Sequence, residues 1–487
     1  MREYLVSLNK GFVKDDIVSS LRSSSGDAAI PPREVSVDDN LPLNRSFFAM
    51  LTDQEAARLE QDPRVASVSP KDNLNAISPA GQQAGPWARG GSTNQNWGLQ
   101  RHSVINNPWT SSSEILQNTY DYHLDGTGVD YVHIEDMFRH THNEFKDANG
   151  NSRFVPFQWN TLPGLSFLPT INYNSLGYGS HSTATCSGVV GRTLGWARNA
   201  TIYAIPGNVI NTYTALTVLK EFHRSKPVDP VTGYKRPTVT NASFVYLFNH
   251  TTISDIFYRG RYLGVTSPST AYGLFGTSFT YESGLYNFLD EMEDEGVILV
   301  AAAGNSSQKL CENSNDQDFD NHLLINSYQK IYYCRSTGVM TENTPVVGNL
   351  STTMSGGLEY QAGGSSRGPR VDVWAAGTSI VCASSGSNTG YTVNSGSSHA
   401  APQVTGMVCC LLQANPGMTA KDVKNWLRAN AAKNKMFQGI TNESDPSFWS
   451  NSSSLLNGGN RIAVFPYGGH RPLTTRASMY GINVNKK

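Results

Sequence analysis

Three side-chain types that together perform nucleophilic catalysis occur far apart in this chain: a serine, a histidine and a carboxylate. Ser398 lies between a glycine-led turn and an apolar helical pattern, in the stretch GSSHAAPQVTG from Gly396 to Gly406. A hydroxyl at the first turn of a helix meets free backbone N–H groups and the positive end of the helix dipole, which can stabilise a developing oxyanion. An N-cap serine before a buried helix is the alternative interpretation, so the serine needs partners elsewhere.

The candidate base is His181, in GSHSTATCSGVVG from Gly179 to Gly191. A glycine-lined loop precedes the histidine, and a helix of small residues that can pack closely against a sheet follows it. An imidazole within hydrogen-bond reach of a serine can take its proton, provided that a third group orients the ring. Capping of the helix or a hydrogen-bonded core ring are the alternatives for this histidine.

The candidate orienting acids are Glu135 and Asp136, which follow an apolar strand pattern that begins after Gly128. A buried carboxylate at such a place fixes the tautomer of the imidazole and stabilises the imidazolium. Neighbouring residues of a strand point to opposite faces of a sheet, so only one of the two is expected to reach the histidine.

These stretches resemble motifs of the subtilases. The serine segment is similar to Gly-Thr-Ser-Met-Ala-x-Pro, and the histidine segment to His-Gly-Thr-x-x-Ala-Gly, with Ser182 and Ser187 where the family has glycines. The stretch from Gly126 resembles G-x-G-V-x-V-A-V-I-D-T-G-I-D-x-x-H-x-x-L. Counting forward from the glycines or back from His142 places the family's aspartate on Glu135, so the resemblance favours Glu135 over Asp136 as the acid.

The resemblance also implies an oxyanion donor and a substrate-binding edge. VILVAAAGNSS, Val297 to Ser307, is similar to the family's V-V-A-A-A-G-N, whose asparagine corresponds to Asn305. Ser243 and Phe244 match the N-M-S-L-G edge that carries the specificity wall, and Val245 stands in place of its glycine, which is expected to narrow the pocket. Extended peptides would bind there by strand addition. SSRGPRVDVWAAGTSI, from Ser365, resembles a structural run that precedes the serine.

The order acid, histidine, asparagine, serine implies a subtilisin-like serine endopeptidase that acts through an acyl-enzyme on Ser398. The expected fold is α/β, a three-layer sandwich with a mainly parallel central sheet, because strand and helix patterns alternate from about residue 127 to 432. A catalytically inactive binding or structural protein on the same scaffold is the competing interpretation. An esterase or peptidyl transferase would share the acyl-enzyme, but the peptide-binding edge favours protein or peptide substrates.

Residues 1–75 predict a small α+β, ferredoxin-like domain with strands Tyr4–Leu8, Phe47–Leu51 and Val65–Val68 and helices Asp15–Leu21 and Asp53–Leu59. Thr52 and Glu55 form a capping box for the second helix. The segment from Phe48 to Pro70 resembles the propeptide-inhibitor domain of subtilases, which implies a zymogen whose own propeptide inhibits it. Residues 76–96, rich in Gly, Pro and Gln, predict an exposed linker with the autoprocessing site, followed by the catalytic domain, 97–435, and a C-terminal extension, 436–487.

Composition excludes several classes. The net charge of −1, from 38 basic and 39 acidic residues, argues against a nucleic-acid or anionic-membrane partner. No apolar run reaches membrane-spanning length and no signal peptide is recognised, so an intracellular or virion-associated location is expected rather than classical secretion. The segment from Gly195 to Ile205 resembles subtilases encoded by bacterial viruses.

No cofactor is expected, and calcium is left open as an alternative without a clear site. His133, His140 and His142 cluster near the acid, but their mixed strand and turn spacing favours ordinary histidines over a metal site. A calcium ion is not expected after the histidine helix, because the Asn-rich loop that holds it in many subtilases is missing there. Cys311 and Cys334 flank a polar insertion, where either a disulfide or two buried thiols fits the pattern.

Overall fold

The computed structural model describes residues 1–9, 11–23, 30, 34–38, 45–70, 80–244, 253–264, 283–325, 327–335, 339–439 and 454–465. These residues divide into two compact units, one up to residue 70 and one from residue 80 on. Val245 of the predicted substrate edge lies outside the described residues.

The N-terminal unit has the element order βαββαβ: β1 Arg2–Leu8, α1 Asp15–Arg22, β2 Val37–Asp38, β3 Ser46–Leu51, α2 Asp53–Leu59 and β4 Val65–Pro70. The strands form one antiparallel sheet in the order β2-β3-β1-β4. This is the ferredoxin-like topology, and the five predicted helices and strands are all present. The predicted capping box is also present, since Glu55 N donates to Thr52 Oγ1 (3.2 Å) and Thr52 N donates to Glu55 Oε2 (2.7 Å).

The second unit contains the remaining elements. Its helices are α3 Trp97–His102, α4 Ser180–Val190, α5 Thr212–Ser225, α6 Ser283–Asp294, α7 Ser397–Ala414 and α8 Ala420–Asn430. Its strands are β5 Gly81–Ala84, β6 Trp87–Ala88, β7 Ile115–Leu116, β8 Thr119–Tyr122, β9 Asp130–His133, β10 Thr201–Ala204, β11 Thr238–Ala242, β12 Ile253–Tyr258, β13 Arg261–Tyr262, β14 Val297–Ala302, β15 His322–Ile325, β16 Gln329–Tyr332, β17 Val346–Ser355, β18 Leu358–Gln361, β19 Val373–Ala376, β20 Ile380–Ala383, β21 Tyr391–Asn394, β22 Ala432–Lys433 and β23 Arg461–Ile462. Among the described residues, short 3-10 helices lie at Asn143–Phe145, Trp159–Thr161 and Tyr173–Ser175.

The central sheet of this unit has the order β10-β9-β11-β14-β17-β19-β23-β22, with β18 paired to β17. Its core, from β10 to β19, is parallel. The chain moves from β9 to β10 in one direction and then to β11 and β14 in the other. Right-handed crossovers therefore place α4 on one face and α5 and α6 on the opposite face, which confirms the predicted α/β three-layer fold. The reversal at β9 and β11 is the switch point where active groups of such sheets collect.

Helices α4 and α7 pack closely against each other, and small residues permit this. A Cβ added to Gly188 would lie 3.0 Å from Cβ of Pro402, and one added to Gly406 would lie 2.8 Å from Cβ of Trp196. Both helices are almost wholly buried. Because His181 begins α4 and Ser398 begins α7, this contact determines how near the two side chains lie.

The second unit begins earlier in the sequence and ends later than the predicted catalytic domain. Within the predicted exposed linker, β5 pairs with β8, and the side chains of Trp87 and Asn96 are fully buried. In the predicted C-terminal extension, β23 joins the central sheet beside β19, where Trp374 is opposite Ile462. These pairings link distant parts of the chain, so local composition does not reveal them.

An inserted antiparallel sheet, in the order β13-β12-β15-β16, has its own small apolar core. This core includes Cys311 and Cys334, which are free thiols in the structure, and Cys311 N donates to the Cys334 carbonyl oxygen (2.8 Å). Within the described ranges, no helix has the length and apolar character needed to cross a membrane.

Candidate active site

The predicted base and the preferred predicted acid are in contact. His181 is the second residue of α4, and its Nδ1 lies 2.9 Å from Oε2 of Glu135, which follows β9. The Glu135 side chain is 7% exposed, whereas 48% of the His181 side chain faces solvent. The second oxygen of Glu135 accepts a hydrogen bond from Thr185 Oγ1 (3.2 Å), one turn along the same helix. The carboxylate is therefore held by two residues of α4.

Asp136, the alternative acid, is exposed. The carboxylate that contacts the His181 ring is that of Glu135. Gly179, at the N-cap of α4, packs on it: a Cβ added there would lie 2.9 Å from Cβ of Asp136. Both residues lie in the bend after β9, which ends at His133, and the path of the backbone there brings Glu135 rather than Asp136 to His181.

The two partners shift each other's ionisation. The hydrogen bond with Glu135 raises the pKa of His181 above its ordinary value, against the opposing effect of burial, and the charge of Asp136 adds to the rise. Burial by itself would raise the pKa of Glu135, but the hydrogen bond with His181 and the nearby histidines outweigh burial and leave it lowered. The carboxylate is thus ionised and accepts a hydrogen bond from the N–H at Nδ1 of His181. Nε2 of the neutral ring then carries no hydrogen and can act as a base.

Ser398 lies in the first turn of α7, at the positive end of the helix dipole. Gly396 precedes it at φ +147°, a conformation that side chains rarely adopt, and a Cβ there would lie 3.3 Å from Nδ2 of Asn305. Ser398 Oγ donates to the carbonyl oxygen of Ser243 (3.2 Å) rather than to His181, and Ser243 Oγ donates to the carbonyl oxygen of Ser398 (2.8 Å). The serine is therefore tied to the predicted substrate edge.

Asn305 follows β14 and contacts the same helix start. Its Oδ1 accepts hydrogen bonds from the backbone N–H of Ser397 (2.8 Å) and from Ser397 Oγ (3.1 Å). A backbone N–H can only donate, so the atom that faces it must be the amide oxygen. The amide nitrogen consequently points toward Gly396 and is available to an oxyanion.

A cleft of about 400 Å³ lies beside the His181–Glu135 pair. Phe244 of the predicted substrate edge lines it together with the start of α4. Ser243 and Phe244 follow β11, next to the strand end that carries Glu135. The structure thus brings the predicted acid, base and described substrate-edge residues to the same end of neighbouring strands.

Two neighbours of the site were not singled out from the sequence. Thr185 could have been suspected, because it is one turn after His181 on the same helix face. His399 follows Ser398, and its ring centroid lies 5.7 Å from that of His181. Burial lowers the pKa of His399 to about 4, and repulsion from His181 acts in the same direction. A neutral second imidazole therefore packs against the base.

The histidines near Glu135 have ordinary hydrogen-bond partners or ring contacts. His142 Nδ1 accepts from Glu144 N (3.1 Å) and its Nε2 donates to the Gly390 carbonyl oxygen (2.9 Å). His140 packs on the ring of Tyr178. Among the residues that the structure describes, no group of three or more His, Cys, Asp or Glu side chains is arranged to hold a metal ion.

The chain matches the model of the Subtilase family over residues 168–448, more than half of its length. This range includes His181, Asn305 and Ser398 and begins after Glu135. The chain is 25% identical over 400 residues to an extracellular serine proteinase of Thermus sp. (strain Rt41A), and the alignment covers 80% of this chain and 72% of that protein. It is 24% identical over 334 residues to an alkaline proteinase of Hapsidospora chrysogena, covering 68% and 62%.

Among solved structures, a cold adapted subtilisin-like serine proteinase aligns with a TM-score of 0.47 and 19% identity, over 78% of this chain and 100% of that chain. The family match spans the histidine, asparagine and serine segments that the structure brings together at the ends of α4, β14 and α7. The chain belongs to the subtilase family and is a subtilisin-like serine endopeptidase.

Proposed function

We propose that the peptidase hydrolyses peptide bonds through an acyl-enzyme on Ser398, with His181 as general base and Glu135 as the acid that orients it. The observation that carries the proposal is the 2.9 Å contact between His181 Nδ1 and the buried Glu135 carboxylate, at the switch point of the sheet. In this arrangement His181 Nε2 takes the hydroxyl proton of Ser398 as Oγ attacks the carbonyl carbon. The same proton then passes to the leaving amine, and water releases the acyl group.

The oxyanion would be stabilised by Nδ2 of Asn305 and the backbone N–H of Ser398. Support for this role comes from Ser397, whose two hydrogen bonds to Oδ1 hold the Asn305 amide in the donating orientation. Such preorganised donors cost no reorganisation when the charge develops.

Substrate binding would align the nucleophile. An extended peptide that pairs with the chain after β11 would donate an N–H to the Ser243 carbonyl oxygen, which Ser398 Oγ occupies in the free enzyme. The displaced hydroxyl is then free to rotate toward His181. Phe244 and Val245 would form the wall of the specificity pocket.

We also propose that the N-terminal unit is a propeptide that inhibits the enzyme until it is cut off. The autoprocessing site is expected between about Pro70 and Asn96. A protease needs an extended, accessible substrate segment, so the paired strand Gly81–Ala84 and the buried residues 87–90 of this range are disfavoured as the cleavage point.

The test is the intact mass and N-terminal sequence of the purified chain, beside Ser398→Ala and Glu135→Gln. We expect the wild type to lose about its first 70 to 95 residues, because an active enzyme would cut within the predicted linker, while Ser398→Ala stays whole. A fluorophosphonate should label the wild type at Ser398. If the wild type stays whole and is not labelled, the chain is an inactive scaffold and the proposal is wrong.

A further inference from the structure

Beneath the His181–Glu135 pair, three buried side chains form a continuous line of hydrogen bonds. Tyr131 Oη lies 2.9 Å from Nδ1 of His133, and Nε2 of His133 lies 2.7 Å from Oγ of Ser182. Ser182 Oγ in turn donates to the carbonyl oxygen of Asp136. All three side chains are buried: Tyr131 and His133 are 0% exposed, and Ser182 is 2% exposed. The mechanism proposed above does not use any of the three.

Only one arrangement of hydrogens satisfies these contacts. The carbonyl oxygen of Asp136 can only accept, so the single hydroxyl hydrogen of Ser182 is directed to it. Ser182 Oγ must then accept from His133, which places a hydrogen on Nε2. Burial lowers the pKa of His133 to about 4, so the ring is neutral and its Nδ1 carries no hydrogen. Nδ1 therefore accepts from Tyr131, and every donor has its acceptor.

The line of hydrogen bonds connects the two segments that carry the acid and the base. Asp136 directly follows Glu135 at the end of β9, and Ser182 directly follows His181 at the start of α4. One backbone contact reinforces the connection, since Gly179 N donates to the Met137 carbonyl oxygen (2.8 Å). A shift of α4 relative to the end of the strand would therefore break these hydrogen bonds and at the same time lengthen the distance between His181 and Glu135.

All three residues differ from the subtilase patterns given above. Those patterns have valine at the positions of Tyr131 and His133 and glycine at the position of Ser182. A valine and a glycine could not hydrogen-bond across this interface. The polar replacements occur together because each needs the others: a buried imidazole or hydroxyl without a partner is costly.

We propose that Tyr131, His133 and Ser182 are positioning residues that hold the strand end bearing Glu135 against the helix start bearing His181. The inference rests on the proposed roles of Glu135 and His181 and adds a second set of residues that makes their contact effective in this chain. They touch neither the substrate nor the reacting atoms and act through the geometry of the pair.

The first test compares Ser182→Ala with Ser187→Ala. Ser187 is a buried serine on the same helix, and its Oγ bonds Ala383 N (3.0 Å) and the Ala184 carbonyl oxygen (2.7 Å), away from the acid. We expect Ser182→Ala to lower kcat and the rate of fluorophosphonate labelling about tenfold with KM within about twofold, because the pair is misplaced while the substrate edge is intact. Ser187→Ala should keep the wild-type kcat.

Tyr131→Phe keeps the ring and removes only the hydroxyl at the far end of the line. A smaller fall in kcat, about threefold, is expected, because His133 keeps its bond to Ser182. If both Ser182→Ala and Tyr131→Phe react at the wild-type rate, the positioning role is wrong.

The second test measures the protonation of His133 and does not depend on catalytic activity. In the full-length Ser398→Ala chain with 15N-labelled histidine, we expect one imidazole to stay neutral with its hydrogen on Nε2 from roughly pH 5 to 8. It is identified as the ring whose Nδ1 resonance moves in Tyr131→Phe. The charged or titratable groups around it are Glu135, Asp136 and His181. A hydrogen on Nδ1, or titration in this range, would overturn the assignment.

The outcomes separate this inference from the proposed function. If the fluorophosphonate labels the wild type, Ser182→Ala and Ser187→Ala equally fast and spares Ser398→Ala, the nucleophile assignment stands and the positioning role fails. If the wild type itself is not labelled, the proposed function is wrong and this inference is wrong with it.

Discussion

The serine side and the acid–base side of this active site are built in different ways. On the serine side, contacts to Asn305 and Ser398 run largely through the backbone of α7 and of the chain after β11. On the acid–base side, the line from Tyr131 to Ser182 and the bond from Thr185 rely on side chains. The serine side keeps the family's residues at Gly396, Ser398 and Asn305 and departs from them at Ser397, His399 and Val245, whereas the acid–base side departs at Tyr131, His133, Glu135 and Ser182. A backbone atom makes its contact whatever the side chain is, whereas a hydrogen bond between two side chains needs both residues.

The largest effect that tests this comparison is expected from Glu135→Gln. Loss of the carboxylate removes the group that fixes the His181 tautomer, so kcat should fall about 10³- to 10⁴-fold. The pKa of His181 should also fall, since the bond to Glu135 is the main cause of its rise. Because the base must be neutral, the acid limb of the kcat–pH profile should move to lower pH. An acid limb that stays in place would contradict the assignment.

Asn305→Ala is expected to have the next largest effect, a fall in kcat of about 10²- to 10³-fold with little change in KM. This magnitude is the one known for the loss of an oxyanion donor in subtilisin, a member of this family. Asn305→Asp is the matched control for structure, because it keeps an acceptor for Ser397 N but offers no donor to the oxyanion. Equal thermal stability with an equal or larger loss of kcat would separate the catalytic role from the structural one.

Ser397→Ala should have a moderate effect. Its hydroxyl gives one of the two bonds to Asn305 Oδ1 and accepts from Gly304 N (3.0 Å). The backbone bond to Oδ1 remains in the variant, so kcat should fall only about fivefold, the worth of one hydrogen bond of about 1 kcal/mol. Steady-state kinetics with an ester substrate measure it. A loss as large as that of Asn305→Ala would mean that the hydroxyl, not the backbone, orients the amide.

Asp136→Asn should have the smallest effect. The charge of Asp136 contributes to the raised pKa of His181, so its removal should move the acid limb of the profile slightly to lower pH and leave the maximal kcat within about threefold. The kcat–pH profile recorded beside that of Glu135→Gln decides between the two carboxylates. A larger loss in Asp136→Asn than in Glu135→Gln would reverse their assignment.

Local signals predicted much of the architecture. The capping box at Thr52 and Glu55, the buried strand Val297–Ala302 and the helix after Ser398 each depend on residues close in sequence, and all three are present. Pairings between distant segments could not be read in this way. The Gly81–Ala84 strand has no alternating pattern of its own and forms because Thr119–Tyr122 lies beside it.

The same distinction holds within the site. Glu135 and His181 were found because motif spacing places each at the end of a recognisable element. The connection of His133 to Ser182 joins residues 49 positions apart and needs the packing of α4 on the strand end. His133 is the last residue of β9 and lies two positions before Glu135, and this closeness in sequence was the available signal.

The strand near the end of the described chain has a consequence for when the central sheet can be completed during synthesis. Ile462 lies beside Trp374, Ala463 N donates to the Trp374 carbonyl oxygen (2.9 Å), and Phe465 N donates to that of His102 (2.7 Å). The sheet that supports the active site therefore takes in a segment translated more than sixty residues after the nucleophile. A ribosome-bound chain that ends shortly after Ser398 contains Glu135, His181, Asn305 and Ser398 but lacks this strand. The pairing beside Trp374 can therefore form only after residues 461–465 have been made.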